Sequence, residues 1–162
     1  MKKIKLLPFI ALILTLTGFS PVKKKVTIFS IGDSTMVNKD TTRSNPERGW
    51  CQVLPAFFDE NQLVIDNRSK NGRSSKSFRD EGLWQGVLNM IQKGDYVFIQ
   101  FGHNDSKPDV ARKTYPHSSC RENLIRYIRE SREKGAIPIL VAATGKVRTN
   151  TKPPPTLLPK IQ

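Results

Sequence analysis

Four short apolar runs constrain this chain more than any other feature. Residues 25–31, 63–66, 96–101 and 137–142 are rich in Val, Ile, Phe and Tyr and have the length of strands. Between them lie segments whose apolar residues recur at helical spacing. Residues 47–58 place Trp50, Val53, Leu54, Phe57 and Phe58 on such a period, with Pro55 bending or dividing the segment. Residues 78–91 carry Leu83, Trp84, Val87, Leu88 and Ile91, weakened as a helix by Gly82 and Gly86. Residues 119–134 form the clearest helix, with Leu124, Ile125 and Ile128 expected to face inward and Gly135 to end it. Strand and helix alternate throughout, which predicts an α/β fold with a parallel sheet and helices on both faces. Residues 96–101 read as a central strand and 137–142 as the next buried one.

Open sheets of this kind bind ligands beyond the carboxyl ends of their strands. Three polar motifs fall there: Gly32-Asp33-Ser34-Thr35, Asn71-Gly72-Arg73-Ser74 and Gly102-His103-Asn104-Asp105. Alone, each is an ordinary turn composition. Together they offer a serine hydroxyl, a glycine that lets backbone N–H approach a ligand, and an amide side chain with N–H donors. Acyl transfer needs these parts, a nucleophile and donors for a developing oxyanion. No cofactor or metal is called for. Cys51 and Cys120 could pair in an exported protein, but spacing does not decide it, and Cys51 could simply be buried.

Residues 31–35, 71–78 and 101–105 resemble the first three conserved blocks of the SGNH/GDSL hydrolases. Asp33-Ser34-Thr35, the Gly72-Arg73-Ser74-Ser75-Lys76-Ser77 segment, Arg48-Gly49-Trp50 and Tyr115-Pro116-His117-Ser118-Ser119 are similar to the rhamnogalacturonan acetylesterase-like branch. The resemblance covers residues 26–143. It implies a flavodoxin-like three-layer sandwich with a parallel sheet, and removal of acetyl groups from polysaccharide or oligosaccharide. It implies Ser34 as nucleophile and Ser34, Gly72 and Asn104 as the oxyanion hole, with Asp33 supporting the turn. A lipase or thioesterase of the same superfamily is the less favoured substrate reading.

The family's last block, Asp-x-x-His, supplies the general base and its orienting carboxylate. Neither His103 nor His117, the two histidines of the chain, stands in such a block. Beyond Ala143 the composition turns proline-rich and acid-free. Residues 144–162 are therefore expected to be a disordered, aberrant tail of a truncated or frame-shifted product, with the fold of residues 21–143 lacking its last strand and helix. On that reading activity is impaired, and the alternative is a catalytically inactive remnant or a weak glycan-binding module.

Residues 1–20 read as a secretory signal: Lys2, Lys3 and Lys5 precede an apolar stretch over 6–19, short for a membrane span. A secreted or periplasmic protein without a stable membrane anchor is expected. The net charge of +13 suggests nucleic acid at first sight. Setting aside the seven basic residues in the signal and in 146–162 leaves 20 basic against 14 acidic ones, a mildly basic body of about +6 that suits a solvated surface or an anionic polysaccharide and not a nucleic-acid partner.

Overall fold

The computed structural model describes residues 24–42 and 46–142. The proposed signal and the tail at 144–162 lie outside the described residues. Four strands, β1 (Val26–Gly32), β2 (Leu63–Asn67), β3 (Tyr96–Gln100) and β4 (Ile137–Leu140), form one sheet in the order β2-β1-β3-β4. Every neighbouring pair is parallel, with Val26 beside Leu63, Ile28 beside Tyr96 and Tyr96 beside Ile137. The chain leaves β1 for one edge and then returns past it to β3, so the strand order reverses at β1.

The helices form the outer layers of a three-layer α/β sandwich. Phe29 and Ile31 of β1, Val97 and Ile99 of β3, and Phe101 meet Phe78, Trp84, Val87, Ile91 and Tyr127 in the main core. These contacts bring α2 (Ser77–Asp80), α3 (Leu83–Met90) and α4 (Arg121–Glu133) onto one face. Four aromatic rings tie the layer together: Phe101 stands 5.5 Å from Phe78 and 5.4 Å from Tyr127, and Trp84 meets Tyr127 edge-on at 5.0 Å. Each such fully buried side chain contributes about 1.5–3 kcal/mol. On the opposite face α1 (Trp50–Val53) packs Trp50 against Phe98 of β3, with the centroids 6.2 Å apart, and buries Cys51.

Local chemistry sets several boundaries. Pro55 divides the 47–58 segment as expected: α1 passes into a single 3-10 turn, Leu54–Phe57. That short element cannot bury the whole apolar period, so Val53, Phe57 and Phe58 are exposed. Gly82, at φ +73°, splits the 78–91 segment into α2 and α3. Gly135, at φ +76°, ends α4: its N–H bonds Arg132 O at 2.8 Å and the Ala136 N–H bonds Ser131 O at 3.0 Å, the paired bonds of a Schellman stop.

Two expectations are corrected. Ile125 does not face inward. The buried stripe of α4 runs through Tyr127 and Ser131 with Leu124 and Ile128 beside it, and Ile125 lies outside the stripe, exposed. Residues 137–142 are not a buried strand either. β4 is at the sheet edge, and Ile137, Ile139 and Leu140 are 47%, 38% and 51% exposed. Cys51 and Cys120 are both free.

Candidate active site

β1 delivers Gly32-Asp33-Ser34-Thr35 to the end of the sheet. Gly32 is required there, because a Cβ would stand 2.3 Å from Met36 Sδ and 2.7 Å from the Gln100 carbonyl oxygen. The chain then turns sharply. Met36 N and Val37 N donate to the Asp33 carbonyl at 3.1 and 3.3 Å. The buried Asp33 carboxylate accepts the Thr35 N–H and the Thr35 hydroxyl, both at 2.9 Å. Asp33 thus supports the turn. Ser34, at its tip, is half-buried, and among the described residues nothing hydrogen-bonds its hydroxyl.

β2 delivers the second loop beside the first. Arg68 N donates to Ser30 O at 2.9 Å and Lys70 N to Gly32 O at 3.0 Å, tying the loop to β1. Gly72 has φ +73°, a left-handed conformation that favours glycine. A shallow hollow of about 280 Å³ lies against Gly72 between Arg73, Arg112, Glu81 and Asp109. The guanidinium of Arg73 is 2.8 Å from Glu81 and that of Arg112 is 2.7 Å from Asp109. A larger hollow of about 520 Å³, between the end of β2 and α3, includes none of Ser34, Gly72 and Asn104.

β3 delivers the third loop through Gly102, at φ +137°. Asn104 is buried, and its Nδ2 donates one N–H to Arg73 O at 3.1 Å. That bond orients the amide and leaves the second N–H of the same nitrogen for another acceptor. Because β2, β1 and β3 are neighbours, the three motifs emerge at one end of the sheet, where the strand order reverses.

Asp105 joins the second and third loops, a role sequence reasoning missed. Its carboxylate accepts the Ser75 N–H at 3.0 and 3.2 Å, the Ser75 hydroxyl at 2.5 Å and the Thr114 hydroxyl at 2.8 Å. Asn123 and Tyr127 of α4 close the cluster, donating to the Ser75 hydroxyl at 3.2 Å and to the Ser75 carbonyl at 2.9 Å. Gln100 was missed too. It is the one polar residue in the otherwise apolar 96–101 run, and a buried polar side chain there signals a partner. His103 and His117 are both exposed, and among the described residues neither is hydrogen-bonded to Ser34. Burial pushes the Cys51 thiol up to about 11, against a small opposing influence of the Ser30 hydroxyl, so Cys51 is a protonated core residue at neutral pH.

The profile of the GDSL-like Lipase/Acylhydrolase family matches residues 30–161. This chain belongs to that family. Its branch is also shown. The chain is 41% identical over 127 residues to the rhamnogalacturonan acetylesterase RhgT of Bacillus subtilis, covering 78% of this chain and 53% of RhgT. It is 40% identical over 120 residues to the probable rhamnogalacturonan acetylesterase YesY of the same organism, covering 74% of this chain and 54% of YesY. The crystal structure of YxiM of Bacillus subtilis superposes with a TM-score of 0.67 at 31% identity, over 75% of this chain and 34% of that one. The chain therefore spans about half the length of the RhgT and YesY relatives within the SGNH/GDSL superfamily.

Proposed function

We propose that this chain provides the nucleophile and the oxyanion-binding loops of an exported serine esterase that removes acetyl groups from a rhamnogalacturonan-like polysaccharide. The observation that carries this reading is the meeting of three loops at one sheet end, with Asn104 turned by its bond to Arg73 so that one N–H stays available. The names of the relatives RhgT and YesY support the substrate. The leader at 1–20 and the mildly basic surface fit an exported enzyme acting on an anionic glycan.

In this mechanism Ser34 Oγ attacks the acetyl carbonyl carbon and gives up its proton to a base. The carbonyl oxygen becomes an oxyanion held by the Ser34 and Gly72 backbone N–H groups and by Asn104 Nδ2. The bond to the sugar oxygen breaks, that oxygen takes the proton from the base, and acetyl-Ser34 is hydrolysed to acetate and free serine. No cofactor or metal enters. Family resemblance assigns the base to an Asp-x-x-His block, which these 162 residues do not contain. A second reading is glycan binding without turnover by these 162 residues taken alone.

Acetate release from acetylated rhamnogalacturonan and hydrolysis of p-nitrophenyl acetate, each with and without added imidazole, test the proposal. Oxyanion stabilisation and binding without a complete triad leave about 10³–10⁴-fold acceleration over water. Release that imidazole stimulates and Ser34→Ala abolishes is the expected result. Release equal in the Ser34→Ala variant refutes it, and binding of the glycan with no release establishes the second reading.

A further inference from the structure

Beneath the Ser34 turn runs a part-buried chain of hydrogen bonds whose direction is fixed from one end. Trp50 Nε1 can only donate, and it donates to Gln100 Oε1 at 2.6 Å. That contact settles which way the Gln100 amide points, so Nε2 donates to Thr35 Oγ1 at 3.1 Å. Thr35 Oγ1, already accepting, turns its own proton to Asp33 Oδ1 at 2.9 Å. Asp33 Oδ1 also accepts the Thr35 N–H at 2.9 Å. The residue between Asp33 and Thr35 is Ser34.

The relay links three elements distant in sequence. Trp50 opens α1, Gln100 ends β3 in register with Gly32, and Thr35 and Asp33 belong to the turn. The backbone reinforces it: Trp50 N donates to Thr35 O at 3.0 Å. Gly49 lies so close to the segment after the turn that a Cβ there would stand 2.1 Å from Val37 O. Gln100 and Asp33 are each 1% exposed, and Thr35 and Trp50 are half-buried, so the relay is partly shielded from water.

We infer that Gln100, oriented by Trp50, is a positioning residue for the Ser34 nucleophile, acting through Thr35 and Asp33. The inference rests on the reading of Ser34 as nucleophile. Its physical content is the polarity of the relay. A glutamate at position 100 matches the amide in shape and, when ionised, still accepts from Trp50 but cannot donate to Thr35. Burial near Asp33 favours its protonated form, whose O–H can donate, so the variant is read at a pH high enough to ionise it. Thr35 would then turn its proton toward position 100, and Asp33 would keep only the backbone N–H. The turn would lose the side-chain bond that fixes Ser34 relative to Gly72 and Asn104.

The test compares Gln100→Glu, Thr35→Val, Thr35→Ser and the Gln100→Glu/Thr35→Val double variant of the full chain. Circular dichroism shows which of them are folded. Ser34-dependent hydrolysis of p-nitrophenyl acetate is measured with imidazole present. Gln100→Glu is expected to lower kcat about tenfold or more with KM within about twofold, as expected for loss of transition-state positioning. Thr35→Ser, which keeps the hydroxyl, is expected to stay near the unsubstituted chain. The double variant is expected to match the worse single variant, because both break one relay. A folded Gln100→Glu variant with unchanged kcat, or losses that multiply in the double variant, overturns the inference.

A second readout needs no turnover. The Ser34 and Thr35 amide resonances and the Trp50 indole resonance in a ¹H–¹⁵N spectrum are expected to shift in Gln100→Glu, whereas in Thr35→Ser the Trp50 indole resonance is expected to stay in place. Unmoved Ser34 and Thr35 amides in Gln100→Glu overturn the inference even where hydrolysis is absent. Absent Ser34-dependent hydrolysis with shifted amides refutes the esterase reading and, with it, the positioning role, leaving only a structural role of the relay in setting the Ser34 turn.

Discussion

Replacing Asp105 by Asn keeps the shape of the side chain and removes its charge. In the native chain the carboxylate receives the Ser75 N–H, the Ser75 hydroxyl and the Thr114 hydroxyl, all buried. An asparagine offers one acceptor oxygen and an NH₂ that cannot accept, so the Ser75 N–H or one of the hydroxyls loses its partner. A hydrogen bond to a charged group contributes about 1.5–3 kcal/mol, and an orphaned buried donor costs about 1–3 kcal/mol. Hydroxyl rotation recovers part of this, leaving a loss of about 2–4 kcal/mol. That is a large share of the roughly 5–15 kcal/mol available to a domain. Urea denaturation followed by circular dichroism measures it. With a slope of about 1–3 kcal/mol per molar, the midpoint is expected to fall by about 1–2 M. The reasoning fails if the Asp105→Asn midpoint is unchanged from that of the unsubstituted chain.

Gly135→Ala is expected to destabilise by about 1–2 kcal/mol in the same urea assay, since Gly135 is left-handed at φ +76° and the new Cβ would stand 3.0 Å from Lys93 Cγ. Glu130 supplies an acid-side dependence. Burial would raise its pKa, but hydrogen bonds from Arg79, at 2.8 and 3.0 Å, and from Trp84 outweigh it and hold the carboxyl below its ordinary 4.5. Its contribution is therefore full above about pH 4.5 and lost as pH falls through the lower folded value. Thermal melts are expected to show Glu130→Gln less stable than the unsubstituted chain at neutral pH, with the gap closing as pH falls below 4.5.

Much of the architecture was legible in local pattern. The four apolar runs are the four strands, and their alternation with helical segments implies parallel pairing, because the crossovers return the chain to the same end of the sheet. The turn glycines 82 and 135 and the divider Pro55 act where they stand, since their effects reach no further than the adjacent turn of backbone. The motifs at Ser34, Gly72 and Asn104 could be placed together in advance because the ends of neighbouring parallel strands share one side.

Which helix face meets the sheet was not legible. Periodicity marks an apolar stripe, but on α4 the neighbours chose Tyr127 and Ser131 over Ile125, because Tyr127 stacks on Phe101 and reaches the Ser75 carbonyl. Nor could the apolar residues at 53, 57 and 58 be seen to lie outside, since the short α1 buries only what meets the sheet. The supports of the site were the least legible part. Trp50 meets Gln100 across 50 residues of chain and Gln100 meets Thr35 across 65. Sequence by itself determined which groups can donate and accept, where the chain turns, and that a serine, a glycine and an asparagine arrive at one sheet end. Only the tertiary structure decided which donor faces which acceptor, because a hydrogen bond requires atoms about 3 Å apart and that proximity is created by packing.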